Sequence, residues 1–176
     1  MSLRKLNWIH TIYTVIDTCG RAIRDICEKA DALFIANDDA DVALLSNAHG
    51  LHVGQKDLPL SEARQAVGSA QIIGVSNAAF GEALAAESDG ADYVAVGTIY
   101  DTATKSETRS AGLETLKQVS DAVIVPVVAI GGINETNIAT VLGAGADSIC
   151  VLSAVTSAPD PRAASAKLAE IIDKAV

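Results

Sequence analysis

From residue 30 onward, short apolar runs alternate with helical patterns along the chain. The runs are Leu33–Ala36, Leu51–Val53, Ile72–Val75, Tyr93–Val96, Val125–Ile130 and Ser148–Leu152. Each is short, rich in β-branched residues and free of polar alternation, as strands covered on both faces are. Between them the sequence predicts helices over Ser61–Val67, Ala78–Ser88, Gly112–Val119, Asn134–Leu142 and Pro161–Lys174. Pro59 precedes the first, Asn77 and Asn134 stand at cap positions, and Asp160-Pro161 places a cap before a proline at the first helical position. Ahead of these, Ile12, Val15, Ile16, Cys19, Ile23, Ile26 and Cys27 recur at three and four residues and predict a helix over Ile12–Cys27.

A weak internal repeat supports a βα succession. Asp89-Gly90-Ala91-Asp92 precedes one run, Ala144-Gly145-Ala146-Asp147 precedes another, and His49-Gly50 precedes a third. Each glycine suits a helix C-cap or a tight helix-to-strand turn. About six βα steps imply a parallel sheet with right-handed crossovers. Two closures fit this pattern: an open doubly wound sheet, and a (β/α)₈-type barrel, which typically takes about 250 residues. The first eleven residues are a candidate for a further strand.

The chain has 176 residues, which predicts a single domain over residues 1–176. Hydrophobic residues make up 49% and aromatic ones only 3%, so the core is expected to consist mainly of Ala, Val, Ile and Leu. The net charge of −9, with no basic run, argues against a nucleic-acid partner, because neutralising phosphates needs a basic face. No apolar run reaches the roughly 18–20 residues of a transmembrane helix. The opening MSLRKLNWIH lacks the apolar stretch of a signal peptide. Cys19, Cys27 and Cys150 form no CxxC and no paired Cys/His spacing, which argues against a disulfide framework or a structural zinc site. Cys19 and Cys27 lie on the apolar stripe and read as small buried hydrophobes. A reduced, cytoplasmic, soluble protein is expected.

The polar residues of interest follow directly after the strands. Asn37, Asp38 and Asp39 follow the first, Gln55 and Asp57 the second, and Ser76 the third. Thr102, Thr104 and Lys105 lie in the loop after the fourth, Gly131 and Gly132 follow the fifth, and Ser153 follows the sixth. In a parallel sheet all these ends point to one rim, where barrel and open α/β enzymes keep their sites. Asp38 and Asp57, from neighbouring strand ends, suit Mg²⁺, a hard cation that takes oxygen ligands and binds phosphate as well. Either carboxylate could instead cap the helix or turn that follows it. Gly131-Gly132-Ile133-Asn134, with Ser153 after the next strand, suits a phosphate held by backbone N–H groups. Lys105, flanked by Thr104 and Ser106, suits a phosphate or diphosphate, although a solvated lysine is the usual case. His49 and His52 straddle Gly50 and do not share a face, so neither receives a catalytic or metal role. His10 gives no signal.

These residues resemble those of the thiamine phosphate synthase (thiamine-phosphate pyrophosphorylase) family over roughly residues 14–175. The matching stretches are Phe34-Ile-Ala-Asn37-Asp38-Asp39, Gly50-Leu-His-Val-Gly54-Gln55-Lys56-Asp57, Gly74-Val75-Ser76, Ala91-Asp92-Tyr93-Val-Ala-Val-Gly97, Thr102-Ala-Thr104-Lys105, Ala129-Ile130-Gly131-Gly132-Ile133 and Leu152-Ser153-Ala154. The resemblance implies a (β/α)₈ barrel and a transferase that joins an aminomethylpyrimidine diphosphate to a thiazole phosphate, forming thiamine phosphate and releasing pyrophosphate. It implies that Asp38 and Asp57 bind Mg²⁺, and that Asn37, Ser76 and Lys105 hold the pyrimidine diphosphate. Thr102, Thr104, Gly132 and the Leu152–Ser153 backbone would hold the thiazole phosphate. In the family, diphosphate leaves first and the thiazole nitrogen captures the pyrimidine carbocation. Lys105 and Ser76 are the groups this assigns to the chemical step.

The sequence departs from the family pattern in places. Family members carry a Gln-x-Arg-x-Lys-like motif on an early strand that contacts the diphosphate, and it is not found here; Ser2-Leu3-Arg4-Lys5 is a remnant at best. About two strands' worth of the usual N-terminus is expected to be absent, which predicts an open barrel, weakened turnover, and a second copy of the chain covering the open edges. Ser76-Asn77-Ala78 stands where the family usually has Ser-x-His, and Thr98 and Asp101 replace prolines. Two alternatives accompany the synthase reading: a thiazole tautomerase-like protein, and a non-catalytic phosphate-binding paralogue. Asp38, Asp57, Ser76 and Lys105 favour the synthase, because a tautomerase binds no diphosphate.

Overall fold

A computed structural model describes residues 20–102 and 109–175. Its elements alternate: α1 (Gly20–Lys29), β1 (Ile35–Asn37), α2 (Ala40–Leu45), β2 (Gly50–Val53), α3 (Leu60–Val67), β3 (Ile72–Asn77), α4 (Phe80–Ser88) and β4 (Tyr93–Gly97) come first. Then follow α5 (Gly112–Ala122), β5 (Val127–Ile130), α6 (Ile138–Gly143), β6 (Ser148–Cys150), α7 (Ser153–Thr156) and α8 (Pro161–Ala175). The six strands form one sheet in sequential order, and every neighbouring pair is parallel. A doubly wound sheet reverses its order at a switch point; this one does not. Among the described residues it is α/β, a TIM-like barrel segment of six strands, short of the full eight units.

The strands alternate between two apolar clusters. Leu51, Val53, Ile73, Val75, Val94, Val96, Val127 and Ala129 face the helices and meet Ala63, Ala83, Leu116 and Val141 in the main core. Tyr93, Ala95, Val128 and Cys150 lie on the other, inner face, against Leu33, Ile72 and Ile130. Register aligns inner-face residues in rows. Asn37, His52, Gly74 and Tyr93 form one row across β1 to β4. Ser76, Ala95, Val128 and Ser148 form another across β3 to β6.

The repeat has a structural reason. Gly90 and Gly145 take φ of +93° and +99°, where glycine has no steric penalty. The aspartate two residues later grips one residue of the neighbouring strand by both its N–H and its C=O. Asp92 Oδ2 accepts from Ile73 N–H at 2.7 Å, and Asp92 N–H donates to Ile73 O at 2.8 Å. Asp147 does the same to Val127, at 2.9 Å in each direction. Each aspartate thereby sets the register of a parallel pair.

The strands and most helices lie where the sequence predicts, with instructive differences at their ends. The fifth strand starts at Val127 rather than Val125, since Pro126 has no N–H for the ladder. The sixth ends at Cys150 rather than Leu152. The third runs on through Ser76 and Asn77, which pair with Ala95 and Val96. The sixth helix starts at Ile138, not Asn134: Asn134 Oδ1 accepts from Thr136 N–H at 2.9 Å and its own N–H donates to Asn137 Oδ1 at 2.8 Å, closing a separate turn first. The short helices α2 and α7 lie outside the predicted ones, being too brief to show a period. Of the helix expected over Ile12–Cys27, the structure describes Gly20–Lys29; the candidate strand in the first eleven residues and Cys19 lie outside the described residues. Cys27 and Cys150 are buried thiols.

Candidate active site

The parallel topology puts the ends of all six strands on one rim. Asn37 ends β1, and Asp38 follows it. Asp57 lies between β2 and α3, and Ser76 near the end of β3. Thr102 follows β4, Gly132 follows β5, and Leu152 and Ser153 follow β6. Thr104 and Lys105 lie outside the described residues.

Asp38 is exposed and held at φ +67°, a left-handed conformation uncommon for a residue other than glycine. Its N–H donates to His52 O of the adjacent strand at 2.8 Å, which fixes it at the mouth of the β1–β2 pair. Asp57 Oδ2 accepts from Gly54 N–H at 2.7 Å, closing the turn after β2. Asp57 thus closes the turn before it and does not cap α3, whose N-cap is Pro59, and its carboxylate is exposed at the end of the strand beside β1. Gln55 reaches from this turn to Ser76 O at 2.8 Å and ties β2's loop to the end of β3.

The loops after β4 and β5 interlock. Ile99 N–H donates to Ile130 O at 2.9 Å, and Tyr100 N–H to Gly131 O at 3.1 Å. Gly131 and Gly132 have φ of +100° and +66°. A Cβ on Gly131 would come within 2.6 Å of Thr98, and one on Gly132 within 2.7 Å of Tyr100 and Asp101. Glycine is needed at both positions for the two loops to meet. The segment 103–108 is flanked by a closed base: Thr98 N–H donates to Arg109 O at 3.0 Å, and Ala111 N–H to Thr98 O at 2.9 Å. Arg109 also pairs with Glu82 at the start of α4, at 2.7 Å. Burial works to raise the Glu82 carboxyl, yet the Ala78 N–H, the Arg109 guanidinium and the Ala79 N–H together hold it below its ordinary value.

Sequence reasoning gave no part to His52 and Tyr93. The structure places both on the inner face beneath Ser76. His52 Nε2 lies 2.8 Å from Ser76 Oγ, and His52 Nδ1 lies 2.8 Å from Tyr93 Oη. Burial pushes the Tyr93 phenol well above its usual range, so it keeps its proton. The signal that could have found the trio is the period of two: Ser76, His52 and Tyr93 are all inner-face positions, but only the strand register shows that they meet.

The chain is similar to known proteins. The model of a family described as thiamine monophosphate synthase matches residues 14–155. The chain is 48% identical over 157 residues to the thiamine-phosphate synthase of Moorella thermoacetica, covering 89% of this chain and 75% of that one. It is 47% identical over 157 residues to the thiamine-phosphate synthase of Methanocella arvoryzae, covering 89% of this chain and 74% of that one. Among solved structures it is similar to the thiamine phosphate pyrophosphorylase from Pyrococcus furiosus, with a TM-score of 0.84 at 40% identity, covering 89% of this chain and 75% of that one.

Proposed function

This chain belongs to the thiamine monophosphate synthase family, and from that membership we propose that it joins an aminomethylpyrimidine diphosphate to a thiazole phosphate, releasing pyrophosphate. The observation that carries the reading is the 48% identity to a synthase, and it is supported by a parallel sheet that sets two carboxylates, a serine and a glycine pair after its strands.

Asp38 and Asp57 are the candidate ligands of Mg²⁺. Among the described residues no group of three or more His, Cys, Asp and Glu gathers. Two exposed carboxylates on adjacent strand ends suit a cation that takes its remaining oxygens from diphosphate and water, as Mg²⁺ does. When bound, Mg²⁺ would neutralise charge growing on the departing diphosphate. Asn37 and Ser76 donate hydrogen bonds to that diphosphate from the ends of β1 and β3. Lys105 supplies a positive charge to the same leaving group. Thr102 and Thr104, with Gly132 and the Leu152–Ser153 backbone, hold the phosphate of the thiazole, so that its nitrogen waits beside the carbon the diphosphate leaves. Two fixed phosphates thereby supply orientation, which lowers the barrier without covalent chemistry from the protein.

The reading further puts the reaction in the cytoplasm, where thiols such as Cys27 and Cys150 stay reduced. Among the described residues no helix is long and apolar enough to cross a membrane. We also read pairing of two copies from the sheet's edges. Among the described residues β1 and β6 each have one strand neighbour, and Ile26, Leu44 and Leu45 are exposed on the helices at the β1 side. Sedimentation as a dimer supports that pairing, and a stable, well-folded monomer removes it.

The activity is tested by incubating the protein with the pyrimidine diphosphate, the thiazole phosphate and Mg²⁺. Thiamine phosphate and pyrophosphate should form in equal amounts and only with the metal. A folded protein that binds thiazole phosphate and yields neither product favours the non-catalytic alternative.

A further inference from the structure

We propose that Tyr93 and His52 are positioning residues, which aim the hydrogen of the Ser76 hydroxyl out of the barrel and towards the diphosphate substrate. The inference rests on the assignment of Ser76 to that substrate. It comes from the geometry of three side chains that sit on three different strands.

Tyr93 and His52 belong to β4 and β2, which are not neighbours; β3 lies between them. His52, Gly74 and Tyr93 occupy one row of the sheet. A Cβ on Gly74 would lie 1.9 Å from Tyr93 Cζ, so the phenol crosses directly over the glycine. The Tyr93 and His52 rings stack with centroids 5.5 Å apart and an interplanar angle of 29°. The missing side chain at Gly74 is what lets β4 reach a histidine on β2. Both side chains are nearly sealed from water, Tyr93 at 3% exposure and His52 at 2%.

Seclusion makes the direction of each hydrogen bond matter. A neutral imidazole donates from one ring nitrogen and accepts at the other. Between these two partners a neutral ring has two arrangements. In the first, the Tyr93 hydroxyl donates to Nδ1, and Nε2–H donates to Ser76 Oγ. In the second, Ser76 donates to Nε2, and Nδ1–H donates to Tyr93 Oη. A phenol is a strong donor and a poor acceptor, because its lone pair is shared with the ring. Burial also keeps the Tyr93 proton in place. The first arrangement follows. It occupies a lone pair of Ser76 Oγ and leaves the serine hydrogen to turn towards the rim, where Ser76 is partly exposed. The second would turn that hydrogen inward and present only lone pairs to an anion. A phosphate oxygen needs a donor, so only the first arrangement makes Ser76 useful to a diphosphate.

The test combines a spectroscopic readout with kinetics. In the ¹⁵N spectrum of the wild-type protein, with His52→Gln used to assign the ring, His52 should carry its proton on Nε2 and none on Nδ1. Tyr93→Phe keeps the ring over Gly74 but removes the donor. It should release His52 from the single Nε2–H form and lower kcat/KM for the pyrimidine diphosphate about tenfold, the scale of one hydrogen bond to a charged group. KM for the thiazole phosphate should not move, since other loops hold it. A wild-type proton on Nδ1 overturns the proposal whatever Tyr93→Phe does. So does a Tyr93→Phe protein with unchanged tautomer and unchanged kcat/KM. The expected tautomer in a protein with no turnover overturns the functional reading, and the ligand named here with it; turnover with the wrong tautomer overturns this inference alone.

Discussion

The ring of Tyr93 on β4 lies against the backbone of Gly74 on β3, so close that a Cβ at position 74 would sit 1.9 Å from its Cζ. Gly74→Ala must therefore displace the ring and break its 2.8 Å contact with His52. Overpacking of a tight interior costs about 1–3 kcal/mol, and denaturant unfolding should show a loss of that order. The same variant should lose activity on the pyrimidine diphosphate, since the Ser76 hydroxyl loses its support. A fully stable Gly74→Ala protein with an intact Tyr93–His52 contact would mean that the strands can part at no cost.

Asp57→Asn separates charge from structure. The amide oxygen can still accept from Gly54 N–H, as Asp57 Oδ2 does at 2.7 Å, so the turn should survive and thermal stability should change little. The charge on the metal is lost. We expect turnover to fall about a hundredfold or more, the scale seen when one stabilising group is removed from a developing charge. The Mg²⁺ concentration needed for half-maximal rate should rise. A titration of rate against Mg²⁺ reads both effects, and unchanged values would remove Asp57 from the metal site.

The Glu82–Arg109 pair joins the start of α4 to the far base of segment 103–108. Both groups are partly in water, so breaking the pair should cost under about 1 kcal/mol globally. Locally the effect should be larger: in Glu82→Gln the amides of Thr98 and Ala111, which close that base, should exchange with deuterium faster. The sign with pH follows from the lowered Glu82 carboxyl. Its contribution is complete above the ordinary carboxylate value and is lost as pH falls through the lowered one. Wild-type exchange at these amides should therefore approach that of Glu82→Gln in acid.

His49 gives a second pH dependence of known sign. Its Nδ1 accepts from Phe34 N–H at 2.8 Å, which requires that nitrogen to be unprotonated. Burial, then the charge of Arg24, holds the imidazole below its ordinary value. Its contribution to stability is present above the unfolded value, near 6.5, and is lost as pH falls through the folded one. The melting temperature should decline as pH drops from about 7 to about 5. His49→Asn, whose side-chain oxygen accepts at any pH, should flatten that part of the curve. An equal decline in both proteins would assign it to other groups.

Much of the architecture was legible because buried parallel strands leave an unmistakable trace. Leu51–Val53 and Tyr93–Val96 are apolar on the helix side and covered on the other, so they read as strands without any alternation. The rim followed from topology alone: once the strands are parallel, Asp38, Asp57, Ser76 and Gly132 must lie on one side. What the sequence concealed was register. His52 and Tyr93 look like ordinary strand residues until β2, β3 and β4 are aligned and Gly74 is seen to open the path between them. Helices α2 and α7 escaped notice because six and four residues show too little periodicity. Asn134 misled as a cap because its side chain closes a turn of its own before the helix begins.

The most direct test of the account is where the products bind. A crystal structure with thiamine phosphate, pyrophosphate and Mn²⁺ in place of Mg²⁺ would locate all three, the metal by its anomalous signal. The account expects the metal bound by Asp38 and Asp57, pyrophosphate against Asn37 and Ser76, and the product's phosphate against Gly132 and Ser153. Products bound away from the strand ends, or a metal that touches neither aspartate, would contradict it.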